Sequence, residues 1–219
     1  MTPESQKKIF WVTLFGIAMG WLEAAVVVYL RLLYYPEGFT FPVKGVSWNI
    51  GMVELGREIA TVLMLLALGI LVGRSALERF GYFIYAFGVW DLIYYVGLRL
   101  VLGWPPSLLT WDVLFLIPLP WIGPVLAPVL ASLAMMGACL LIVRREDQNR
   151  PMHPAWWMWI VEILCGSIII FSFIVDYRIA FISEVPDRFH WEIFFLGYLP
   201  GIALFLYAWR KSDSSLRSE

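Results

Sequence analysis

The sequence predicts an all-α integral membrane protein, a bundle of six transmembrane helices with a proline-broken fourth segment. Of the 219 residues, 61% are hydrophobic and only 15% are charged, and the mean hydropathy is +0.76. Soluble domains contain about 45–50% apolar and about 25% charged residues, so a soluble fold is excluded. In addition, six apolar runs are each long enough to cross a hydrocarbon core of about 30 Å.

The six apolar runs define the predicted spans. The first run is too long for the apolar region of a signal peptide and carries no small-residue cleavage site, so we interpret it as a helix. Because about 20 helical residues cross the core, five of the runs are single spans. In chain order the runs are Ile9–Leu33, Ile50–Val72, Phe80–Val101, Trp111–Val143, Ala155–Val175 and Trp191–Trp209.

The fourth run, Trp111–Val143, is longer than one span. Its 33 residues would make a helix of about 50 Å, and they include Pro118, Pro120, Pro124 and Pro128. A proline inside a helix removes a backbone donor and frees the carbonyl four residues earlier. Such backbone persists at membrane depth only when it is buried in protein or lines a wet cavity. We therefore expect a short re-entrant or unwound element, followed by a full span from about Pro124.

The chain is expected to form one polytopic membrane domain over residues 1–219. The longest polar connections, Tyr34–Asn49 and Arg144–Pro154, are too short to bury a core of their own. The last residues, 211–219, are polar and rich in serine, and we expect them to form a disordered cytoplasmic tail.

The distribution of basic residues predicts the orientation of the bundle. Ten Lys and Arg residues fall on the side of the termini and five on the other side, while Arg57 lies within the second span. Because cytoplasmic loops are enriched in Lys and Arg, we expect a cell-membrane protein with both termini in the cytoplasm. The connection Tyr34–Asn49 is then outside. An even number of spans is consistent with this arrangement.

Several ionisable side chains lie inside or at the borders of the predicted spans. On insertion scales each costs about 2.5–3.5 kcal/mol at the centre of a bilayer, so each needs a partner or a role. From the first span to the sixth they are Glu23; Glu54, Arg57 and Glu58; Asp91, followed by Tyr94 and Tyr95; Asp112; Glu162; and Glu192.

The spacing of these residues predicts a shared cavity. Glu54, Arg57, Glu58 and Thr61 follow one another at i, i+3, i+4 and i+7, so they share one helical face. Similar stripes run along the first and third spans. Because such faces are costly in lipid, we expect all three to line a polar cavity that opens to the extracytoplasmic side. The candidate ligand-binding residues are Glu23, Glu54, Arg57, Glu58, Asp91, Tyr94, Tyr95, Asp112 and Glu192.

Structural ion pairs are the alternative explanation for these charges. Arg57 is one helical turn from both Glu54 and Glu58 and can neutralise either one. Glu23 and Asp91 have no basic residue one turn away. These two carboxyl groups must therefore be protonated, paired across helices, or bound to a cation.

A ten-residue pattern occurs twice in the chain, 80 residues apart. Trp111–Pro120 and Trp191–Pro200 both contain Trp, an acid, a β-branched residue, any residue, Phe, Leu, two free positions, Leu and Pro. A genuine repeat predicts two segments that each place a carboxylate beside a border Trp and a helix-breaking proline about two turns deeper. In a chain with 12 Trp residues, chance similarity is the competing explanation.

Composition and motifs exclude several classes of function. The 16 basic and 17 acidic residues include no basic run, so a nucleic-acid partner is excluded. Cys139 and Cys165 lie in apolar runs and suit neither a disulfide framework nor a thiolate metal site. His153 and His190 lie outside the spans, where they are unsuited to haem ligation within a bundle. We predict no metal ligands, and the cofactor is unknown.

Three hypotheses for function remain. The first is a protein that binds or transports a small polar or cationic ligand through an outward-facing acidic and aromatic cavity. The second is an intramembrane enzyme that uses clustered carboxylates, as metal ligands or general acid and base, on a lipid-linked substrate. The third is a structural or assembly subunit of a larger membrane complex. The expected partners are the lipid bilayer, a small-molecule ligand on the first hypothesis and other membrane subunits on the third.

Overall fold

The computed structural model describes residues 1–45, 47–117, 119–182 and 188–214. Six of its helices are long and apolar enough to cross a membrane, which confirms the all-α membrane bundle. The chain is a multi-pass membrane protein. In chain order the elements are α1 (Pro3–Tyr34), α2 (Trp48–Val72), α3 (Ala76–Leu102), β1 (Trp111–Phe115), β2 (Trp121–Pro124), α4 (Leu126–Asp147), α5 (Trp156–Ile174), α6 (Ile179–Ile182) and α7 (Trp191–Ser214).

Local sequence explains where the first and third helices begin and end. The Thr2 hydroxyl accepts a hydrogen bond from the backbone N–H of Ser5, and Pro3 opens α1 with a backbone angle that suits a helix. The Ser75 hydroxyl caps α3 in the same way, accepting from the backbone N–H of Glu78. Gly103 ends α3 in the left-handed region, with φ of 66°, which glycine adopts without steric cost.

Helix α3 is the centre of the bundle and packs against α1, α2 and α4. Close contact between α1 and α3 depends on Gly20, since a Cβ there would lie 2.6 Å from the carbonyl oxygen of Trp90. Close contact between α2 and α3 depends on Gly69 in the same way, because a Cβ would lie 2.5 Å from the carbonyl oxygen of Arg79. Helices α5 and α7 form a second pair, which α4 joins to the rest.

Both described chain ends lie at the same end of the bundle. The backbone N–H of Thr2 donates to Asp147 at 2.7 Å, and the Arg74 guanidinium lies 3.5 Å from the same carboxylate. The Arg145 guanidinium donates to the carbonyl oxygen of Trp209, near the end of α7, at 2.7 Å. We call this the termini end, and we call the opposite end, which holds β1 and β2, the hairpin end.

The outer surface of the helices is apolar, as contact with a bilayer requires. Leu22 of α1 is 62% exposed, Leu71 of α2 is 83% exposed and Ile163 of α5 is 65% exposed. In water such a surface would drive aggregation, but in lipid it carries no penalty. The bilayer therefore surrounds the six long helices.

The proline-rich fourth segment is a β-hairpin followed by α4, where the sequence predicted a short re-entrant or unwound element followed by a full span. Strands β1 and β2 are antiparallel, and α4 begins only at Leu126. Pro120 and Pro124 belong to the hairpin, and Pro128 lies in the first turn of α4, where a missing N–H costs little. Pro118 lies outside the described residues. The segment before Leu126 is not helical, and the full span expected from about Pro124 begins at Leu126.

The hairpin reaches deep between the helices. The Phe115 ring is 6.2 Å from the Phe87 ring and 6.0 Å from the Trp90 ring, and both partners lie near the middle of α3. On the other side, the Trp121 ring stacks on Phe173 of α5 at 6.0 Å. The two strands pair with each other along one edge, and their aromatic side chains pack against α3 and α5, so the hairpin contacts protein on both sides at this depth.

The two copies of the ten-residue pattern have different structures. Trp111–Pro120 enters the hairpin, whereas Trp191–Pro200 is helical throughout and Pro200 lies inside α7. The shared pattern therefore marks no structural repeat. Helix α7 continues to Ser214, and the rest of the predicted tail, residues 215–219, lies outside the described residues.

Candidate functional site

The polar faces of α1, α2 and α3 meet at an open cavity of about 250 Å³ near the hairpin end. Periodicity accounts for this convergence, since each stripe places its polar residues on one side of its helix. The rest of the wall comes from the hairpin residues Val113–Leu116, from Phe181, and from the α1–α2 connection: Tyr35, Phe39, Val43, Lys44 and Gly45. Eight of the nine predicted site residues line the cavity: Glu23, Glu54, Arg57, Glu58, Asp91, Tyr94, Tyr95 and Asp112.

Arg57 joins two carboxylates from two helices. Its Nε and Nη2 atoms donate to Glu54 Oε2 at 2.9 and 2.7 Å, which is one of the two predicted pairs within α2. Its Nη1 atom forms an ion pair with Glu23 of α1. The Thr61 hydroxyl donates to the other oxygen of Glu23 at 3.4 Å. Of the three states expected for Glu23, the structure therefore has the pair across helices.

Glu58 has a backbone partner instead of a basic one. Its two carboxylate oxygens accept from the backbone N–H of Leu116, at the inner end of β1, at 3.1 and 3.0 Å. Within the described residues no Lys, Arg or His lies within ion-pair distance of Glu58. The pattern of side chains alone could not reveal this partner, because it depends on where the hairpin ends.

Asp91 also lacks a basic partner in the part of the chain that the structure describes. Its carboxylate accepts a hydrogen bond from the Ser132 hydroxyl of α4 at 2.8 Å. The Tyr94 and Tyr95 rings follow one turn later along α3, with their centroids 4.9 Å apart in an edge-to-face arrangement. The Asp91 carboxylate therefore has one neutral hydrogen-bond donor, and two aromatic rings follow it one turn later on the same helix.

Arg31 and Asp112 form the most buried ion pair of the cavity. Their side chains are 8% and 1% exposed, and the Arg31 Nη2 atom donates to Asp112 at 2.8 Å. The Arg31 guanidinium also lies over the Trp104 ring at 3.6 Å and over Phe39 at 4.5 Å. Arg31 was not among the candidate site residues, although it continues the polar stripe of α1.

Glu192, the ninth candidate, does not line the cavity. It lies in the first turn of α7 with its side chain 56% exposed, where it accepts from Arg188 at 3.2 Å and lies 3.2 Å from His190 Nδ1. A carboxylate in the first helical turn is stabilised by the helix N-terminus, which explains its position without a ligand. Glu162, which was noted within the fifth span, lies beside Gly201 between α5 and α7.

Acidic groups outnumber basic groups in the cavity. Five carboxylates line it, against the basic side chains Arg31, Lys44 and Arg57. Lys44 lies at the mouth, where its ammonium donates to the carbonyl oxygen of Tyr34 at 3.0 Å. The two arginines form ion pairs with three of the carboxylates: Arg31 with Asp112, and Arg57 with Glu23 and Glu54. Glu58 and Asp91 therefore have hydrogen-bond donors but no cation of their own among the described residues.

The described residues offer no ready set of ligands for a metal ion. Within them, no three His, Cys, Asp or Glu side chains lie together in a group that could hold one. The hard cations Ca²⁺ and Mg²⁺ use several oxygen ligands on one site, whereas the cavity carboxylates are divided among separate partners.

No protein-family model, curated protein or solved structure matches the chain. Evidence for function comes from the cavity itself.

Proposed function

We propose that the protein binds or transports a small organic cation in the cavity between α1, α2 and α3. The observation that carries this proposal is the pair of carboxylates, Glu58 and Asp91, that line the cavity without a basic partner among the described residues. An intramembrane carboxylate with no counter-ion is costly, and a cationic ligand removes that cost. The ligand would therefore complete the charge balance of the bundle.

The aromatic lining favours an amine or a quaternary ammonium group over a bare metal ion. Trp90, Tyr94, Tyr95 and Phe115 line the same cavity as Asp91. A cation over an aromatic face gains about 0.5–2 kcal/mol, and the gain is larger where water is excluded. Carboxylate and aromatic groups together are the combination that recognises an organic cation.

The remaining charged residues have distinct roles in this proposal. Arg57 holds Glu23 and Glu54 in place, so those two acids shape the cavity and contribute little free charge. Arg31 does the same for Asp112. Asp91 and Glu58 are the groups that we expect to contact the cationic centre of the ligand.

We further propose that the protein resides in the cell membrane with both termini in the cytoplasm, so that the cavity opens to the extracytoplasmic side. The twofold excess of Lys and Arg on the termini side supports this orientation. The shared location of Thr2, Asp147 and the end of α7 is compatible with it.

The proposal is tested by binding of tetramethylammonium to the purified protein in nanodiscs. We expect saturable binding to the wild type and a loss of about tenfold or more in Asp91→Asn, which keeps the shape and removes the charge. Glu192→Gln is the matched control, because it also neutralises an acid but lies outside the cavity. Equal binding by both variants, or no saturable binding by the wild type, would contradict the proposal.

A structural subunit is the second candidate, and the closed ion pairs favour it. Arg57, Glu23 and Glu54 bind one another, as residues do when they only hold helices together. On this proposal Asp91→Asn leaves any binding unchanged, and the protein purifies with other membrane subunits in a fixed ratio. The tetramethylammonium experiment therefore separates the two candidates.

A further inference from the structure

We propose that the ligand is an amphiphile, an organic cation on an alkyl chain, and that it enters the cavity from the bilayer through a gap between α1 and α2. This inference rests on the proposed function, since it keeps the same cation site and adds the chain.

The first observation is that α1 and α2 both line the cavity but make few close backbone contacts with each other. Within the described residues each of the two helices packs along α3, while close backbone contact between α1 and α2 is nearly absent. Both nevertheless contribute lining residues, including Val27 and Leu30 from α1 and Ile50 and Gly51 from α2. Side chains and the connecting loop, including Tyr35 and Phe39, complete the cavity lining here, and the sparse backbone contact is where we place the gap.

The second observation is the floor of this opening. The ion pair between Glu23 and Arg57 crosses from α1 to α2. Glu23 lies eleven residues before the end of α1 and Arg57 nine residues after the start of α2. At 1.5 Å per residue both lie about 15 Å below the hairpin end. We call the space above this pair, between the two helices, the lateral gap.

The third observation is the chemistry on each side of the lateral gap. On the cavity side, α1 and α2 contribute the apolar lining residues Leu30 and Ile50, together with Gly51, which adds no side chain. Next to them on the outer surface, Leu33 is 76% exposed and Val53 is 63% exposed. The path from lipid to cavity is thus apolar at its edges and has the Glu23–Arg57 ion pair at its floor, with the carboxylates of Glu58 and Asp91 in the cavity beyond.

An amphiphile fits this arrangement better than a ligand that is polar throughout. The cationic headgroup would lie against Asp91 and Glu58, and the alkyl chain would leave through the lateral gap into the bilayer. A slit that opens to the hydrocarbon core favours an apolar occupant, because a polar group there would lose its hydrogen bonds to water. The bound chain would fill it while the headgroup completes the charge balance.

The test compares tetramethylammonium with dodecyltrimethylammonium that carries a photoreactive diazirine at the end of its chain. Both probes are added to the protein in nanodiscs, the second at a low mole fraction of the lipid. We expect the photoreactive probe to label residues of α1 and α2 beside the lateral gap. Excess tetramethylammonium should suppress this labelling about tenfold, because both headgroups use one site.

Two variants close the gap and one serves as a matched control. Leu33→Trp and Val53→Trp place a large ring on the lipid-facing side of the lateral gap, outside the cavity lining, whereas Leu22→Trp places it elsewhere on the lipid-facing surface of α1. We expect each gap variant to reduce labelling about tenfold and to leave tetramethylammonium affinity within about twofold. Retained tetramethylammonium binding also shows that the variant is folded. The control should behave as the wild type in both assays.

The possible failures are distinguishable. If tetramethylammonium binds but does not suppress labelling, or if the gap variants label as well as Leu22→Trp, the amphiphile inference is overturned and the cation site stands. If neither probe binds the wild type, the proposed function itself is overturned. Labelling confined to α4, α5 or α7 would also overturn the amphiphile inference, because those helices do not border the lateral gap.

Discussion

Arg57 of α2 bonds Glu54 on its own helix and Glu23 on α1, so one guanidinium serves two carboxylates from two helices. Removing the arginine therefore leaves two acids without a counter-charge, whereas removing either acid leaves the arginine with one partner. This asymmetry sets the relative effects of substitutions in the cavity.

Arg57→Ala should destabilise the protein more than Glu54→Ala. We expect the arginine variant to lose about 2 kcal/mol of unfolding free energy, less than the 3–5 kcal/mol of a fully buried pair, because the Arg57 side chain is 21% exposed. Glu54→Ala should lose about 1 kcal/mol or less. Unfolding in detergent measures both. Equal and negligible losses would mean that the polar face of α2 does not hold the bundle together.

Asp112→Asn should be strongly destabilising. It leaves the Arg31 guanidinium buried without a negative partner, and we expect a loss of about 3 kcal/mol. Glu192→Gln, at an exposed ion pair, should change the unfolding free energy by less than about 0.5 kcal/mol. The comparison uses the same detergent unfolding assay. A mild effect of Asp112→Asn would show that Arg31 finds another partner when the aspartate is neutralised.

Asp91→Asn should change stability little, in contrast to Asp112→Asn. The only described partner of Asp91 is the Ser132 hydroxyl, and an asparagine oxygen can accept the same hydrogen bond. We expect a change of about 1 kcal/mol or less in unfolding free energy. Thermal unfolding of the purified variant tests this expectation. A loss as large as that of Asp112→Asn would mean that Asp91 belongs to a structural ion pair.

Glu58→Ala should loosen the inner end of the hairpin, and Glu58→Gln should not. The alanine variant leaves the Leu116 N–H without its acceptor, at a cost of about 1–3 kcal/mol, whereas the glutamine retains an acceptor oxygen. Amide hydrogen exchange over residues 112–117 should therefore rise about tenfold or more in the alanine variant alone. Similar exchange in both variants would indicate that other contacts fix the hairpin.

Reporter fusions at Lys44 and Arg145 should report opposite sides of the membrane, with Arg145 in the cytoplasm. The expectation follows from the excess of Lys and Arg on the termini side. The two residues also lie at opposite ends of the bundle, since Lys44 bonds Tyr34 and Arg145 bonds Trp209. The same reporter signal at both positions would contradict the bundle, and exchanged signals would contradict only the orientation.

Periodicity predicted the polar faces of the cavity, but it could not predict their pairing. The stripe of Glu54, Arg57 and Glu58 is a property of one helix, so the sequence alone indicates it. That Glu23 meets Arg57, and that Glu192 stays outside, depends on how whole helices are arranged around α3. Helix arrangement follows from packing between distant segments, which local spacing does not encode.

The hairpin was the other feature beyond the reach of the sequence pattern. Four prolines in an apolar run exclude a regular helix, and that part of the expectation follows directly from the missing donors. Prolines are equally compatible with a kink, an unwound turn or an edge strand. That this segment forms a hairpin depends on contacts of Phe115 with α3 and of Trp121 with α5, which are distant in the sequence.

The packing of α2 gives the bundle a mechanical asymmetry. Its residues in the largest core cluster, Leu65, Leu68 and Val72, all come from its second half, where Gly69 draws it tightly against α3. The first half is held by Arg57 and Glu58 through charge and hydrogen bonds. Helix α2 is thus fixed by apolar packing around Gly69 in its second half and by polar contacts in its first half. A cation that binds Glu58 therefore meets α2 in the half that polar contacts, and not apolar packing, hold in place.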